Sequence, residues 1–385
     1  MTPAARTQAA IELLDAIIAA AREGGAAADT LTARYFADRR YAGSKDRRAV
    51  RELVYAAIRA CGEVPPTGRA AVLALGDPAV ETTFDGSAHG PAPVQPGEPV
   101  AVRGPAPAWL VEALAASGLD AAELPALIER APLDVRLNRL RDEPVEIAGA
   151  QAVAGLPDAL RLPAGTDVAA YAGLLEVQDA GSQAVTLAAH AEPGRSVVDL
   201  CAGGGGKTLA LASAMRNRGA ILACDVDRGR LRNLAPRAAR AGIGIVETRL
   251  LDPGREAAAL EVWRERADCV LVDAPCSGTG TWRRNPEARW RLTPERLRRL
   301  AATQAHVLEV GAPLVRPGGS LVYIVCSLLD GEGRERIDAF LTEHPGWVAE
   351  PLNLPLGRPH GPGWRLTPGR DRSDGFFVAR LTRPC

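Results

Sequence analysis

Short apolar segments alternate with stretches of helical spacing through the C-terminal half of this chain of 385 residues. The segments are continuously apolar, which is typical of parallel strands covered by helices on both faces. The pattern predicts an α/β fold with a doubly wound sheet, which binds ligands at the carboxyl ends of its strands. The predicted strands are Ser196 to Leu200, Ala220 to Cys224, Gly244 to Thr248, Cys269 to Val272 and Ser320 to Cys326.

The first strand runs into a glycine-rich turn before a helix. The turn reads Asp199-Leu-Cys201-Ala202-Gly203-Gly204-Gly205-Gly206-Lys207-Thr208. Glycines let a ligand approach the backbone, and the helix that follows offers free N–H groups. The last three residues match the tail of a nucleotide-binding P-loop, but that motif needs a glycine where Cys201 stands. We therefore exclude a P-loop.

The second strand leads to Asp225, roughly twenty residues beyond the turn, where nucleoside-binding folds keep the acid that binds ribose hydroxyls. Asp227 is a close competitor for this role. A glycine-rich turn followed by an acid at the end of the next strand is equally typical of a dehydrogenase. The alternative without a ligand is a simple turn and an aspartate that caps a helix.

Two further strands lead to cysteines. One gives Asp273-Ala-Pro-Cys276 and the other gives Val325-Cys326-Ser327. A single cysteine at a strand end is usually a small buried apolar residue. Two cysteines that converge beside an acid and Lys207 indicate a catalytic role instead. Lys207 is itself unusual, because it is one of only two lysines among 46 basic residues.

Composition excludes several classes of protein. The chain is 47% hydrophobic and 24% charged, as in ordinary globular proteins, and Lys+Arg 46 balances Asp+Glu 46. The seven cysteines form no CxxC pair, which argues against a zinc site or a disulfide scaffold. The apolar stretch Ile11 to Ala21 contains Glu12 and Asp15 and is too short for a membrane span. We expect a cytoplasmic monomer with no metal and no membrane partner.

The chain divides by composition into an organised series of segments. Residues 1–65 show helical spacing, 66–107 are rich in proline and glycine, and 108–176 read as a small α+β domain. Residues 177–385 carry the α/β pattern. We therefore expect a helical N-terminal domain, a connection, an intermediate domain and a catalytic domain.

Several motifs in residues 177–385 resemble one family, the RNA cytosine-5 methyltransferases of the RsmB and Sun type, which use S-adenosylmethionine. Besides the turn and the two cysteine motifs, the matches are Val177-Gln-Asp-Ala-Gly-Ser-Gln183, Arg283-Arg-Asn-Pro286 with Trp290, and Asp374-Gly-Phe-Phe377. Gly203 and Gly204 replace the Ala-Pro of the family turn, and Val325 replaces its usual threonine. The resemblance implies a Rossmann-type methyltransferase core.

The resemblance also implies roles for individual residues. Cys326 is the expected nucleophile on carbon 6 of cytosine, and Cys276 assists breakdown of the adduct. Asp273 is expected at the edge of the cytosine, and Lys207 supplies positive charge nearby. Asp252 matches the family position near the adenine, with a helix cap as the equal alternative. The expected cofactor-binding residues are Cys201, Ala202, Gly203, Gly204, Gly205, Gly206, Lys207, Asp225, Asp252 and Asp273.

RNA is the expected partner, with ribosomal RNA favoured and transfer RNA the alternative. The N-terminal helices around Lys45 to Tyr55 resemble a NusB-like RNA-binding domain, which makes Arg47 and Arg48 candidate phosphate contacts. Residues 282–299 contain seven arginines, with Arg283 and Arg284 as candidates and two tryptophans to stack on bases. In both places a solvated helix surface is the alternative.

Two other functions compete with this interpretation. A Rossmann-type methyltransferase acting on protein or a small molecule would need no paired cysteines, because direct methylation of nitrogen or oxygen uses no thiol. A non-catalytic RNA-binding assembly factor could keep the fold, but intact cysteines disfavour it.

Overall fold

Amphipathic helices build the first part of the computed structural model, which describes residues 1–385. One compact unit comprises Met1–Arg130 and Thr281–Thr293, and a second comprises Ala131–Gly280 and Pro294–Cys385. No helix is both long and apolar enough to cross a membrane. The helices of the first unit are α1 Pro3–Glu23, α2 Ala28–Asp38, α3 Ser44–Ala60, α4 Gly68–Leu73, α5 Pro78–Glu81 and α6 Ala108–Ala116.

The proline- and glycine-rich stretch 66–107 belongs to the core of the first unit. Val72 and Phe84 are buried in the same apolar cluster as the helices α1 and α3. Gly68 packs so closely on α1 that an added Cβ would lie 2.3 Å from a backbone oxygen. Residues 66–107, which the sequence predicts as a connection, therefore pack within the first unit. The helices of this stretch have only six and four residues, too few to show a helical period in the sequence.

The segment Thr281–Thr293 completes this unit by capping its helices. Arg289 donates hydrogen bonds to backbone carbonyls at the end of α3, at 2.7 and 2.8 Å. Arg291 donates to carbonyls around the end of α1, and Glu287 accepts from the first N–H of α2 at 3.1 Å. Cations at the carboxyl ends of helices and anions at the amino ends are favourable placements. These charges therefore stabilise the N-terminal unit.

The second unit contains a small antiparallel sheet and a large mixed sheet. The small sheet has the strand order β2-β3-β1-β4. It holds only part of the expected intermediate domain 108–176, since α6 belongs to the other unit. Its strands are β1 Leu133–Leu137, β2 Gln151–Val153, β3 Leu156–Leu162 and β4 Leu175–Val177.

The remaining elements of the second unit alternate between helix and strand, as the sequence predicts. In chain order they are α7 Ala180–Thr186, β5 Ser196–Asp199, α8 Gly206–Ala214, β6 Ala220–Asp225, α9 Arg228–Leu231, α10 Leu234–Ala241, β7 Val246–Leu250, α11 Glu256–Leu260, β8 Ala267–Asp273, α12 Pro294–Gly311, β9 Val315–Val325, α13 Arg334–Glu343, β10 Val348–Ala349, β11 Arg358–His360, β12 Gly363–Leu366, α14 Pro368–Asp371 and β13 Phe376–Thr382.

The large sheet has nine strands, in the order β11-β12-β13-β9-β8-β5-β6-β7 with β10 beside β13. Strands β5 to β9 pair in parallel, and β13 pairs antiparallel with β9. Val197 packs with Leu209 of α8 in one apolar cluster, whereas its neighbour Val198 packs with Leu308 of α12 in another. Both faces are thus covered by helices, which confirms the predicted doubly wound α/β fold.

Candidate active site

The parallel strands place their last residues at one edge of the sheet. Asp199 ends β5, Asp225 ends β6 and Asp273 ends β8. Cys326 directly follows β9, and Cys276 lies in the loop after β8. Because the carboxyl ends of parallel strands share one edge, the structure brings together the acids and cysteines that the sequence singles out.

The two predicted catalytic cysteines face each other. Their sulfur atoms are 3.3 Å apart, and both are free thiols that are partly exposed. The hydrogen bond to Cys326, and after it burial, raises the pKa of Cys276 well above its ordinary value. Either sulfur can donate this hydrogen bond, and the direction of the pKa shift favours the protonated form of Cys276.

Lys207 forms an ion pair with Asp273 at this edge. The Lys207 Nζ donates to Asp273 Oδ2 at 2.7 Å and lies 5.4 Å from the centre of the Phe376 ring. Burial alone would lower the pKa of Lys207, but the Asp273 carboxylate outweighs it and raises the pKa above its ordinary value. Cys326 also raises the pKa of Lys207, so the Lys207 cation and the Cys326 sulfur are close enough to interact electrostatically.

The glycine-rich turn bends the backbone sharply between β5 and α8. Gly203 and Gly205 have φ values of 54° and 87°, in the left-handed region that favours glycine. At Gly205 an added Cβ would also lie 2.1 Å from a side-chain carbon of Leu234, whereas at Gly206 it would meet open space. The turn thus keeps its backbone bare beside the start of α8. Burial and then the neighbouring carboxylates raise the pKa of Cys201 well above its ordinary value, so this thiol stays neutral.

The structure separates the competing acids. Asp225 is buried, and its carboxylate accepts hydrogen bonds from the backbone N–H groups of Gly203 and Asp227, each at 2.7 Å. Asp227 is exposed, and its side chain caps α9. Since each carboxylate oxygen accepts about two hydrogen bonds, Asp225 keeps capacity for two hydroxyl groups. Asp252 lies exposed beyond β7, and the N-cap residue of α11 is Arg255, so Asp252 does not cap that helix.

Asp199 is a site residue that the sequence reasoning missed. It is fully buried, one carboxylate oxygen accepts from the Thr208 hydroxyl at 2.7 Å, and the other has no hydrogen-bond partner. Burial, together with the charges of Asp273 and Asp225, raises the pKa of Asp199 to about 7. Asp199 could have been predicted from the sequence, because it is the last residue of the strand that leads into the glycine-rich turn.

The stretch 282–299 does not present the stacking surface that its composition suggests. Trp282 is fully buried, and Trp290 is 5% exposed and donates its indole N–H to a backbone carbonyl at 3.1 Å. Neither ring is available to stack on a base, so this part of the expectation is wrong. The two indole rings are therefore part of the protein core, although several arginines flank them in the sequence.

The four candidate RNA-binding arginines differ in exposure. Arg48 is exposed on α3, and Arg47 is half-buried and donates to the Ala42 carbonyl at 2.8 Å. Arg284 is half-buried, whereas Arg283 is 7% exposed and donates to the Arg130 carbonyl at 3.4 Å. A buried guanidinium cannot reach a phosphate on the surface, so the structure does not support a contact at Arg283. Contacts at the other three positions stay predictions.

Comparison with protein families gives one extended match. The model of the family described as 16S rRNA methyltransferase RsmB/F matches residues 184–382. A probable ribosomal RNA small subunit methyltransferase B from Synechocystis sp. is 38% identical over an alignment of 272 residues, with coverage of 65% of this chain and 60% of that protein. The chain thus spans less than two thirds of the length of this curated relative.

Solved structures give the same result for the fold. A methyltransferase homolog protein from Pyrococcus horikoshii has a TM-score of 0.60 and 26% sequence identity, with coverage of 72% of this chain and 99% of that one. NSun6 from the same organism, in a structure with SFG, has a TM-score of 0.52 and 25% identity. That match covers 59% of this chain and 58% of the other.

Proposed function

The chain belongs to the 16S rRNA methyltransferase RsmB/F family, and from that premise we propose that it methylates carbon 5 of a cytosine in RNA with S-adenosylmethionine as the methyl donor. Small-subunit ribosomal RNA is the favoured substrate. The observation that carries the proposal is the pair of cysteine sulfurs 3.3 Å apart, beside the ion pair of Lys207 and Asp273. Methylation of carbon 5 of cytosine, unlike that of nitrogen or oxygen, uses such a thiol.

The residues at the strand ends fit S-adenosylmethionine. Asp225 has capacity for the two ribose hydroxyls, and the turn from Cys201 to Lys207 leaves open space at Gly206. The unpartnered carboxylate oxygen of Asp199 lies in the same cluster of acids, where a positively charged ligand would be stabilised. When bound, S-adenosylmethionine supplies the methyl group from a positively charged sulfonium centre.

Cys326 acts as the nucleophile in this proposal. Carbon 5 of an aromatic cytosine is a poor nucleophile, and a thiolate that adds to carbon 6 turns the ring into an enamine. The new sulfur–carbon bond moves the electron pair of the ring double bond toward carbon 5, while a ring nitrogen takes up a proton. That proton comes from solvent, and the Asp273 carboxylate accepts a hydrogen bond from the protonated nitrogen, while Lys207 favours the negative charge on the attacking sulfur.

Cys276 acts after the adduct has formed. In the free protein the hydrogen bond to Cys326 and the charge of Cys326 both raise the pKa of Cys276. Once the sulfur of Cys326 is bonded to carbon 6, it no longer carries that charge. The Cys276 proton becomes easier to lose, so Cys276 can serve as the base for the proton on carbon 5. Loss of that proton restores the ring double bond and expels Cys326 as a thiolate, and the ring nitrogen returns its proton to solvent.

The base must leave its stack to reach the strand ends, so we expect an unpaired or easily opened cytosine. The exposed arginine surface of α3, including Arg48, supplies phosphate contacts in this proposal, as a NusB-like region would.

The test combines labelled RNA with variants of the two cysteines. The wild-type chain should form 5-methylcytosine in small-subunit ribosomal RNA. Cys326→Ala should fold yet lose product by about a thousandfold or more and form no adduct. Cys276→Ala keeps the nucleophile, so protein linked to RNA should accumulate as a slow band in denaturing gels.

The controls separate this mechanism from its alternatives. Cys385→Ala changes an exposed cysteine outside the strand ends and should behave as the wild type. The double variant of Cys276 and Cys326 should give no band. A band from Cys326→Ala alone would exchange the two roles, and full activity in both single variants would rule out the covalent mechanism.

A further inference from the structure

Glu332 is a buried carboxylate that hydrogen-bonds to both cysteine loops. The residue is 3% exposed. Its Oε1 accepts from the backbone N–H of Ser277 at 2.9 Å, and its Oε2 accepts from the hydroxyl groups of Ser277 and of Ser327, the latter at 2.6 Å. Ser277 directly follows Cys276, and Ser327 directly follows Cys326. One carboxylate therefore connects the residues next to both sulfurs.

A fourth donor comes from α12. The Gln304 Nε2 donates to Glu332 Oε1 at 2.9 Å and to the Pro275 carbonyl at 2.9 Å. An ionised carboxylate only accepts hydrogen bonds and has about four lone-pair sites, so these four contacts match its full capacity. The network fits the charged form of Glu332 and leaves no oxygen of it free for a ligand.

The two cysteines have similar local sequences, yet their electrostatic surroundings differ. Each is followed by a serine, and each lies just beyond a parallel strand. The cation Lys207 interacts with Cys326, whereas the anion Glu332 helps to raise the pKa of Cys276. An anion near a thiol disfavours its thiolate, and a cation favours it. The charges are therefore arranged to make the two thiols unequal.

We propose that Glu332 is a positioning residue that holds the two cysteine loops in register and reserves the nucleophilic role for Cys326. The inference rests on the proposed function for its consequence in catalysis. The inferred difference in reactivity between the two thiols, which Glu332 maintains, does not depend on any substrate.

The first experiment measures alkylation of the free protein by iodoacetamide near neutral pH, with each cysteine followed by peptide mass spectrometry. Cys326 should react faster than Cys276. Glu332→Gln removes the charge at nearly constant shape, and the rate ratio should fall about tenfold, because a nearby anion no longer disfavours the thiolate of Cys276. Glu335→Gln, an exposed carboxylate on α13, is the matched control and should leave the ratio unchanged.

The second experiment measures methylation kinetics and separates positioning from general destabilisation. Glu332→Gln should lower kcat at least about tenfold with KM for RNA nearly unchanged, because the loss falls on the reacting groups. Glu332→Asp restores the charge but shortens the side chain. It should keep the alkylation preference for Cys326 and lower kcat less than Glu332→Gln does.

The outcomes separate this inference from the proposed function. A folded Glu332→Gln variant with the wild-type alkylation ratio overturns the inference, even when Cys326→Ala still abolishes methylation. Should Glu332→Gln fail to fold, Glu332→Asp decides, and a wild-type kcat in that variant overturns it. The alkylation assay contains neither RNA nor methyl donor, so its result stands whichever reaction the chain performs.

Discussion

Two regions of the molecule bury charged side chains, and they use them differently. In the segment 281–293, Arg289 and Arg291 donate to the carbonyl ends of helices, and Glu287 accepts at a helix start. At the strand ends, Lys207, Asp273 and Asp199 act on one another, and an oxygen of Asp199 has no partner. Charged side chains that hydrogen-bond to backbone groups stabilise the fold, whereas charged side chains clustered at one edge of the sheet are available to bind a ligand.

This difference predicts which measurement each variant should change. Substitutions in the capping segment should lower the free energy of unfolding, and substitutions at the strand ends should lower affinity for the cofactor. The same residue types are involved in both places, so the contrast tests the geometry rather than the composition.

Arg289→Ala should have the largest effect on stability. It removes a buried guanidinium that donates to the end of α3 and takes away the donor to the Ile58 carbonyl, whereas the Cys61 carbonyl keeps the indole N–H of Trp290. We expect a loss of about 3 kcal/mol in the free energy of unfolding, since each unsatisfied buried group costs about 1–3 kcal/mol. Urea unfolding followed by tryptophan fluorescence measures it.

Arg298→Ala is the matched control for the capping segment, because Arg298 is exposed on α12 in the same arginine-rich stretch. Its effect should stay within about 0.5 kcal/mol. If the two variants lose equal stability, the capping role of Arg289 is wrong and the contrast between the two regions disappears.

Asp225→Ala should weaken binding of S-adenosylmethionine by roughly tenfold to over a hundredfold, or about 1.5–3 kcal/mol. The variant removes a buried charged acceptor proposed to bind two hydroxyls. Calorimetry with the purified chain measures the affinity. Asp227→Ala, which changes an exposed helix cap two residues away, should bind nearly as the wild type does. The reverse result would move the ribose contact to Asp227.

The sequence predicts the strand-end site better than it predicts the N-terminal unit. Motifs at the ends of parallel strands, such as those of Cys276 and Cys326, meet because the topology places strand ends at one edge. The carbonyls that Arg289 contacts at the end of α3 lie more than two hundred positions away in the chain, with a separation of 231 residues for Ile58. Periodicity in the sequence does not predict a contact between residues so far apart. A run of arginines in the sequence also does not show whether the side chains are buried or exposed.

Glu332 illustrates the same limit within the second unit. Its contact with Ser277 spans 55 residues and joins two loops. The carboxylate lies shortly after Cys326 in the sequence, but nothing in the spacing indicates that it returns to the other cysteine loop. The sequence therefore predicts which residues meet at the strand ends better than it predicts which residues contact their loops.

The smallest expected effect concerns RNA affinity, and it compares an exposed arginine with a buried one. Binding through phosphates releases counterions, so the logarithm of the affinity should fall linearly with the logarithm of the salt concentration. Arg48→Ala removes one exposed cation from α3 and should flatten that slope by about 0.7–0.9 units. Arg283 is 7% exposed, so Arg283→Ala should leave the slope unchanged, whatever it does to stability. Titrations of labelled ribosomal RNA at several salt concentrations measure both slopes. An equal flattening by the two variants would show that the segment 281–293 contacts RNA after all, and its arginines would then do more than cap helices.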